Sequence, residues 1–307
     1  MKLMAEVVFS KVSGTHTIEM CRDGRVMLRV EALEKERRTG SSHDIKDDVA
    51  RWTAYLNYLN TFYLLLDSST IELSKIAFFN LHEITNRDAF RISFKDGKPS
   101  GESISAESLA SVYQMERYIS NPMPGVPLGF DARFRDRRFV VPVDVIEHAS
   151  KSFDFVITQP GLEKVLASFA KSLSEFKVGN YETAIVLAWF ISESVISHLW
   201  ESHLQSLNSI DPTGKKRIDR ERMDLLTGRD YTISSVSNLL ELAGVLSMSL
   251  FQDIDAVRKH RNAIVHSLKF VPTAEKASLA LKTAQELIRK RWGLNFSPSL
   301  GYSVIML

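Results

Sequence analysis

Four polar residues between positions 258 and 266 have the types and the spacing to bind an anion. Arg258, Asn262 and His266 follow one another at intervals of four residues, so on an α-helix their side chains lie along one line. Arg261 lies beside this line, within an apolar stripe formed by Leu250, Ile254, Val257, Ile264, Val265 and Leu268. A guanidinium stays charged in proteins and is costly to bury without a partner. We therefore expect a cleft at the border of the stripe that holds an anion between Arg261 and His266.

An acidic partner for Arg261 is expected from a long apolar helix predicted over residues 181–207. The inward face of that helix is marked by Ile185, Trp189, Ile196 and Trp200. Glu193 lies at the edge of this face, and it is the best candidate to pair with Arg261 if the two helices pack antiparallel. An arginine–glutamate pair in a bundle is also explained by architecture alone, and a histidine near a helix end by capping or exposure. The spacing therefore leaves a functional and a purely structural interpretation open.

Two further stretches carry clustered positive charge. The first lies in a polar, irregular insert over residues 208–229 and contains Lys215, Lys216, Arg217, Arg220 and Arg222. It has the charge to follow an RNA backbone, although a solvated loop has the same composition. The second, residues 133–139, interleaves arginines with phenylalanines, which suits base stacking and phosphate contact but equally a strand edge guarded by charge. His260 is expected on the exposed face of its helix.

The sequence does not favour metal or nucleotide chemistry. His198 and His203 are five residues apart on the predicted long helix, whereas a helical metal-binding pair is four apart. His82 and Glu83 lack a second histidine at metal spacing, and the sequence contains neither a glycine-rich phosphate loop nor a Cys-X-X-Cys motif. We therefore expect no metal and no other cofactor.

The helices that must position these residues are predicted from apolar residues at helical spacing in the second half of the chain. They cover residues 162–176, 181–207, 234–248, 250–268 and 273–292. The third segment is read as one helix or as two helices separated at Gly244, and Thr273 is the expected N-cap of the last. These segments predict an all-α bundle over residues 158–293, followed by a tail over residues 294–307 with a β-like end.

The first half of the chain has a mixed pattern. Residues 5–12, 16–21 and 25–30 are short and β-leaning, with turn residues between them, and predict a small antiparallel meander. The other predicted segments are helices over 47–66 and 105–119, strands over 72–80, 89–94 and 138–145, and a loop rich in proline and glycine over 121–130. The last strand contains Pro142, so it is expected to be an edge or interrupted strand. The fold class is therefore α+β, with a mixed α/β domain over residues 1–157 ahead of the helical bundle.

The composition indicates a soluble protein with two domains of ordinary size. The 307 residues are 44% apolar and 25% charged, and the formal net charge is only +2, so nucleic-acid binding must come from local patches. The single cysteine, Cys21, fits a reducing compartment. The N-terminus lacks the apolar stretch of a signal peptide, and the longest apolar run, residues 184–191, is too short to cross a bilayer. A cytoplasmic location is therefore expected.

Residues 255–267 resemble the signature of the HEPN superfamily. They read Asp-Ala-Val-Arg-Lys-His-Arg-Asn-Ala-Ile-Val-His-Ser, and the family signature is an arginine, four to six residues and a histidine, often with a polar residue directly after the arginine. Residues 180–193 are similar to the family's long first-hairpin helix, which commonly holds an inward acid, and the segment from Thr273 is similar to its closing helix. The resemblance covers residues 160–292, under half of the chain, and does not extend to the N-terminal domain.

The resemblance implies a helical bundle that usually dimerises by facing its motif helices. Active members of the family are metal-independent ribonucleases, frequently toxins or phage-defence effectors. On this chain, His266 would act as general acid and base on the ribose 2′-OH or the leaving oxygen, a task for which an imidazole titrates in the right range. Arg261 would stabilise the phosphorane-like charge, and Asn262 would bind the phosphate or orient His266. The products would carry a 2′,3′-cyclic phosphate and a 5′-OH end.

Two functional hypotheses follow. In the first, the protein is an endoribonuclease that the N-terminal domain restrains or targets, with RNA, a second copy of the chain and an antitoxin or regulatory protein as partners. In the second, the HEPN-like domain is a non-catalytic module that binds RNA, a nucleotide or a protein and serves as a dimerisation scaffold. No membrane partner is expected in either case.

Overall fold

The chain divides into two compact units, Met1–Ala167 and Ser168–Leu307. The computed structural model describes residues 7–21, 26–39, 45–74, 81–86, 88–89, 92–95, 98–101, 141–210, 212, 214–267 and 269–300. Most of these residues are helical, and a small antiparallel sheet lies at the N-terminus, as an α+β chain requires. The domain limits expected at residues 157 and 293 and the HEPN-like nature of the bundle stay predictions.

The N-terminal sheet is the antiparallel meander that the sequence predicts. Its strands β1 (Val7–Val12), β2 (His16–Cys21) and β3 (Val26–Val30) are hydrogen-bonded in the order β1-β2-β3. The central strand alternates as a half-buried strand should, with His16, Ile18 and Met20 buried and Thr17 and Glu19 partly exposed. The β-leaning residues and the turn residues between the strands were the signals that predicted this meander.

Three helices accompany the sheet in the first unit. They are α1 (Glu31–Thr39), α2 (Ile45–Ser74) and α3 (Val143–Thr158), and α2 packs against α3. A short hairpin, β4 (Ile92–Lys95) and β5 (Lys98–Gly101), forms a second sheet. The predicted helix at 105–119, the predicted loop at 121–130 and the basic stretch at 133–139 lie outside the described residues.

Two predicted strands of the first unit are wrong where the structure describes them. Residues 72–74 end α2, and the rest of the strand expected over 72–80 lies outside the described residues up to Asn80. The strand expected up to residue 145 is replaced by the start of α3 at Val143. Pro142 precedes the first turn of that helix, where a missing N–H costs nothing and a fixed φ is favourable. The helical spacing of buried Val145, Ala149 and Phe153 was the signal that we missed.

His16 connects the meander to α3. Its ring is fully buried, and its Nδ1 atom lies 3.0 Å from the hydroxyls of both Ser13 and Thr15. Its Nε2 atom is 3.2 Å from Oδ1 of Asp154, without the alignment of a hydrogen bond, while Lys11 Nζ is 2.5 Å from the other carboxylate oxygen. Burial lowers the pKa of His16; Asp154 opposes this shift and Lys11 adds to it.

The second unit is built around one long central helix. Its elements are α4 (Leu162–Lys177, whose first turns belong to the first unit), α5 (Tyr181–Ser206), α6 (Arg220–Leu226), α7 (Ile233–Leu242), α8 (Met248–His266) and α9 (Ala274–Trp292). The central helix α5 packs against α7, α8 and α9, and α8 also packs against α7 and α9. Alanines are fully buried on both α5 and α9, which fits close helix packing; they are Ala184, Ala188, Ala277, Ala280 and Ala284.

Local signals set the ends of the helices around α8. The hydroxyl of Ser247 accepts a hydrogen bond from the Leu250 amide at the start of α8, and that of Thr273 accepts from the Lys276 amide at the start of α9. Gly244 has a φ of 71°, so the predicted break separates α7 from α8. The expected N-cap at Thr273 is confirmed. The segment predicted over 234–248 ends as a helix at Leu242, and α6 lies in a stretch that was predicted to be irregular.

Helix α5 is long and apolar enough to cross a bilayer by length and composition alone. More than half of its most apolar window is buried inside the chain, however, as in the core helix of a soluble protein. The structure is therefore compatible with a soluble protein.

Candidate functional site

The first half of α8 anchors the site to the core. Leu250, Ile254 and Val257 recur at helical spacing and are buried. The apolar stripe predicted beyond them does not continue into the core, because Ile264 is only partly buried and Val265 is 54% exposed. Leu268 lies outside the described residues. The buried stripe thus ends one turn before Arg261, and the last two turns of α8 border on solvent.

Arg261 lies half-buried at this border, and no acidic side chain in the described part of the chain forms an ion pair with it. Its Nη1 atom donates a hydrogen bond of 3.2 Å to Oδ1 of Asn262, and its Nε atom is buried without a hydrogen-bond partner. The predicted ion pair with Glu193 does not form, since the two side chains are not within 4.0 Å in this chain. The physical reason is that the core-facing stripe stops at Val257, so Arg261 is not carried into the buried interface. Glu193 as a supporting residue of the site stays a prediction.

Asn262 is oriented by its neighbour. Its side-chain oxygen is engaged by the Arg261 guanidinium, so the amide nitrogen, with its two donors, is the group left for other partners. Asn262 itself is half-buried. The Arg261–Asn262 pair therefore presents N–H donors, and an arrangement of donors without an acceptor is suited to an anion.

His266 is the last residue of α8 and is exposed. Among the residues that the structure describes, none forms a hydrogen bond or ion pair with its ring. The Ser267 amide closes the last helical turn by donating to the Ala263 carbonyl at 2.9 Å. His266 is thus accessible to a ligand, and its position depends on how well this last turn is held.

Arg258 has an acidic partner that the sequence analysis missed. Its Nη2 and Nε atoms lie 2.6 and 3.3 Å from Oδ1 of Asp255, and Lys259 Nζ lies 2.7 Å from the other oxygen. Hydrogen bonds from Lys259 and then Arg258 lower the pKa of the Asp255 carboxyl. The spacing of three and four residues along one helix was the available signal. Arg258 is therefore held in place and largely neutralised, in contrast to Arg261.

His260 is not on the exposed face that we predicted. Its ring is partly buried against Phe270, with the ring centroids 5.8 Å apart, and its Nδ1 atom is buried without a hydrogen-bond partner. Burial lowers the pKa of His260, and the nearby Lys276 lowers it further. The prediction failed because the chain after α8 returns to cover this residue, which helical spacing alone does not reveal.

Several described residues of the predicted basic insert are connected by backbone and side-chain contacts. Ile210 and Lys216 form an isolated β-bridge, and the Ile218 amide donates to the Asn208 side chain at 2.9 Å. Trp200 of α5 donates from its indole nitrogen to the Leu226 carbonyl at 2.8 Å, which fixes the short helix α6 at the end of the insert. These contacts restrain the described residues on both sides of the basic stretch and connect α6 to α5.

The cations of the insert point to solvent. Lys215, Lys216, Arg217 and Arg220 are all exposed, and Asp219 between them caps α6 by accepting from the Arg222 amide. No hydrogen bond or ion pair within the described part of the chain joins these four residues to Arg261 or His266. They form a separate positive surface, and an RNA-binding role for them stays a prediction.

Metal ligation finds no support among the described side chains, where no group of three or more histidine, cysteine, aspartate and glutamate residues is gathered. Searches against protein-family models, curated proteins and solved structures find no match to this chain. The function must therefore be argued from the geometry around Arg261.

Proposed function

We propose that the protein is a metal-independent endoribonuclease of the HEPN type. One observation carries this proposal: Arg261 holds a half-buried guanidinium that has no counter-charge among the described residues, and its neighbour Asn262 lies one helical turn before the exposed His266. An uncompensated buried charge is costly, so such a group is expected where an anion binds. A bridging phosphate of RNA has the required charge and several acceptor oxygens.

The chemistry assigned to this site is transfer within the RNA backbone. His266 removes the proton from a ribose 2′-OH, and the 2′-oxygen attacks the adjacent phosphorus. The bond from phosphorus to the 5′-oxygen breaks, and that oxygen takes up a proton as it leaves. Arg261 and the amide nitrogen of Asn262 donate to the phosphate oxygens and stabilise the charge that accumulates in the transition state. One product ends in a 2′,3′-cyclic phosphate and the other begins with a 5′-OH.

The site is proposed to work in a homodimer in which the motif helices of two chains face each other. Val265, an apolar side chain in the last turn of α8, is 54% exposed next to His266, and a second copy would cover it. A second chain would also bring a second imidazole to the cleft, so that one acts as base and the other as acid. A toxin or phage-defence effector, held inactive by an antitoxin or a regulatory protein, is the corresponding cellular role.

A non-catalytic binding module is the second candidate, and a specific observation favours it. No described side chain hydrogen-bonds the His266 ring to fix its tautomer, as an orienting carboxylate or carbonyl does in many histidine-based sites. In this alternative, Arg261 and the exposed cations Lys215 and Lys216 bind RNA or a nucleotide, and the bundle serves as a dimerisation scaffold.

The two candidates are separated by comparing wild type with Arg261→Ala and His266→Ala in the full chain. We expect wild type to arrest growth on induction and to cleave RNA in the presence of EDTA, and both substitutions to abolish the two effects. His198→Ala, which changes an exposed histidine of α5, should behave as wild type. Cleavage that survives both substitutions would exclude the proposed site. Retained RNA binding by a wild-type protein that never cleaves would support the binding module instead.

A further inference from the structure

The chain that follows α8 folds back onto the side of the helix turned away from Asn262. Phe270 lies against His260, and at 100° per residue His260 points about 160° away from both Arg258 and Asn262 on the helix. Phe270 therefore packs on the side of α8 opposite Arg258 and Asn262.

Phe270 is held on a second side by α9. The Lys276 ammonium lies 4.4 Å from the centroid of the Phe270 ring, and it donates a hydrogen bond of 2.8 Å to the Val271 carbonyl. A cation over an aromatic ring and a hydrogen bond to the next residue restrain the same short segment. His260, Phe270 and Lys276 thus form one cluster, which we call the post-helix clamp.

Hydrogen bonds connect this clamp to the last turn of α8. The Phe270 amide donates to the Ser267 carbonyl at 3.2 Å, and the Lys269 amide to the Ser267 hydroxyl at 3.3 Å. The Ser267 amide in turn donates to the Ala263 carbonyl and closes the turn that contains His266. Helix ends fray because their last carbonyls have no partners in the helix, so a restraint on the following residues keeps the last turn formed.

We propose that the post-helix clamp positions His266, with Phe270 as the positioning residue that keeps the last turn of α8 closed and the imidazole in line with Asn262. Phe270 does not touch the substrate; it acts through the Ser267 turn. The role in cleavage rests on the proposed ribonuclease function, whereas the effect on the last turn of α8 does not.

The experiment uses the full-length protein with ¹³C-labelled histidine rings and follows amide exchange at Ser267 by NMR. In Phe270→Ala we expect the Ser267 amide to exchange at least about tenfold faster, because the turn opens more often. The ring signal of His260 should shift on loss of its aromatic neighbour, and that of His266 should move towards the position of an unstructured histidine. Phe270→Tyr keeps the ring and should restore all three signals. Val271→Ala, which changes the exposed neighbouring side chain, should leave them unchanged.

Activity provides the second measurement. For Phe270→Ala we expect kcat to fall by about tenfold with KM changed by less than about twofold, since a displaced base affects the transition state more than binding. Phe270→Tyr should recover kcat. If Phe270→Ala does not fold, Lys276→Met and Lys276→Arg take its place, with loss expected in the first and rescue in the second.

Two results would overturn the clamp: unchanged Ser267 exchange in Phe270→Ala and Lys276→Met, or failure of tyrosine to restore what alanine loses. A wild-type protein that does not cleave RNA would refute the ribonuclease proposal but not the clamp, because the exchange measurement needs no activity.

Discussion

At the scale of single residues, Arg261 and Arg258 show how far residue type and spacing lead. Both were placed correctly on one helix, and the apolar surroundings of Arg261 correctly indicated partial burial. The sequence did not reveal which arginine has a counter-charge. Asp255 forms an ion pair with Arg258 three residues further along the same helix. The partner expected for Arg261, Glu193, lies on another helix, and residue spacing does not predict whether two helices bring their side chains into contact.

This difference predicts opposite effects of the same substitution at the two arginines. Arg261→Met removes a buried guanidinium nitrogen that has no hydrogen-bond partner among the described residues, so the free energy of unfolding should stay unchanged or rise by up to about 1 kcal/mol. Arg258→Met removes a partner of Asp255 and should lower the free energy of unfolding by up to about 1 kcal/mol. Chemical denaturation of both variants measures the effect. Arg261 would be a structural residue if its variant were the less stable of the two.

At the scale of elements, the helices with a strong apolar repeat were predicted from the sequence. Features that depend on neighbouring residues or on tertiary contacts were not. The segments that became α4, α5, α8 and α9 carry long apolar repeats, and their boundaries were correct within a few residues. Helix α3 was taken for a strand at its start because Pro142 was read as an interruption of a strand rather than as the beginning of a helix. The covering of His260 by the segment after α8 depends on tertiary folding and had no local signal.

The contact between the meander and α3 should depend on pH through His16. Its pKa in the folded chain is lowered from the ordinary value of 6.5, first by burial, with Asp154 opposing the shift and Lys11 adding to it. As pH falls below about 6.5, His16 therefore binds a proton in the unfolded chain before it does so in the folded chain. Its contribution to the free energy of unfolding is full above that pH and declines below it. Amide exchange of the β2 backbone should thus accelerate between pH 7 and pH 5.

The matched variants are His16→Gln and His82→Gln. Replacing buried His16 should flatten the pH dependence of β2 exchange, whereas replacing the exposed His82 should leave it as in wild type. Because the pKa of His260 is also lowered, the second unit should lose stability in the same direction, and exchange must be followed within β2 to isolate the contribution of His16. An identical slope in His16→Gln and wild type would contradict this assignment.

At the scale of the whole molecule, charge is distributed locally rather than globally. The net charge is only +2, while Lys215, Lys216 and Arg217 are exposed shortly before α6 and Arg220 is exposed at its first residue. The composition predicts that any nucleic-acid surface is local, and the exposed cations of the insert are a candidate for it. The position of these cations relative to Arg261 depends on tertiary folding. The sequence pattern of neither segment predicts it.

RNA binding should therefore respond to salt through the insert. Replacing Lys215, Lys216 and Arg217 by glutamine should weaken RNA binding and reduce the slope of log affinity against log salt by about 0.7 for each phosphate group that the variant no longer binds. Replacing Arg289, Lys290 and Arg291, the exposed cations at the end of α9, removes the same charge and serves as the control. Fluorescence anisotropy with a single-stranded RNA measures both slopes. Equal slopes in the two triple variants would show that only net charge matters.

The buried Nε atom of Arg261, which has no hydrogen-bond partner among the described residues, also has a consequence for how this sequence would drift under selection. Selection for folding alone does not favour a buried nitrogen that forms no hydrogen bond with a described residue. Under such selection, position 261 would tolerate many residue types. A chain selected on the site would keep arginine and accumulate compensating stability elsewhere, for instance in the buried alanines that bring α5 and α9 together. Random mutagenesis of position 261 can be scored separately for soluble expression and for growth arrest. The two scores would distinguish the residues that folding tolerates from those that the proposed activity requires.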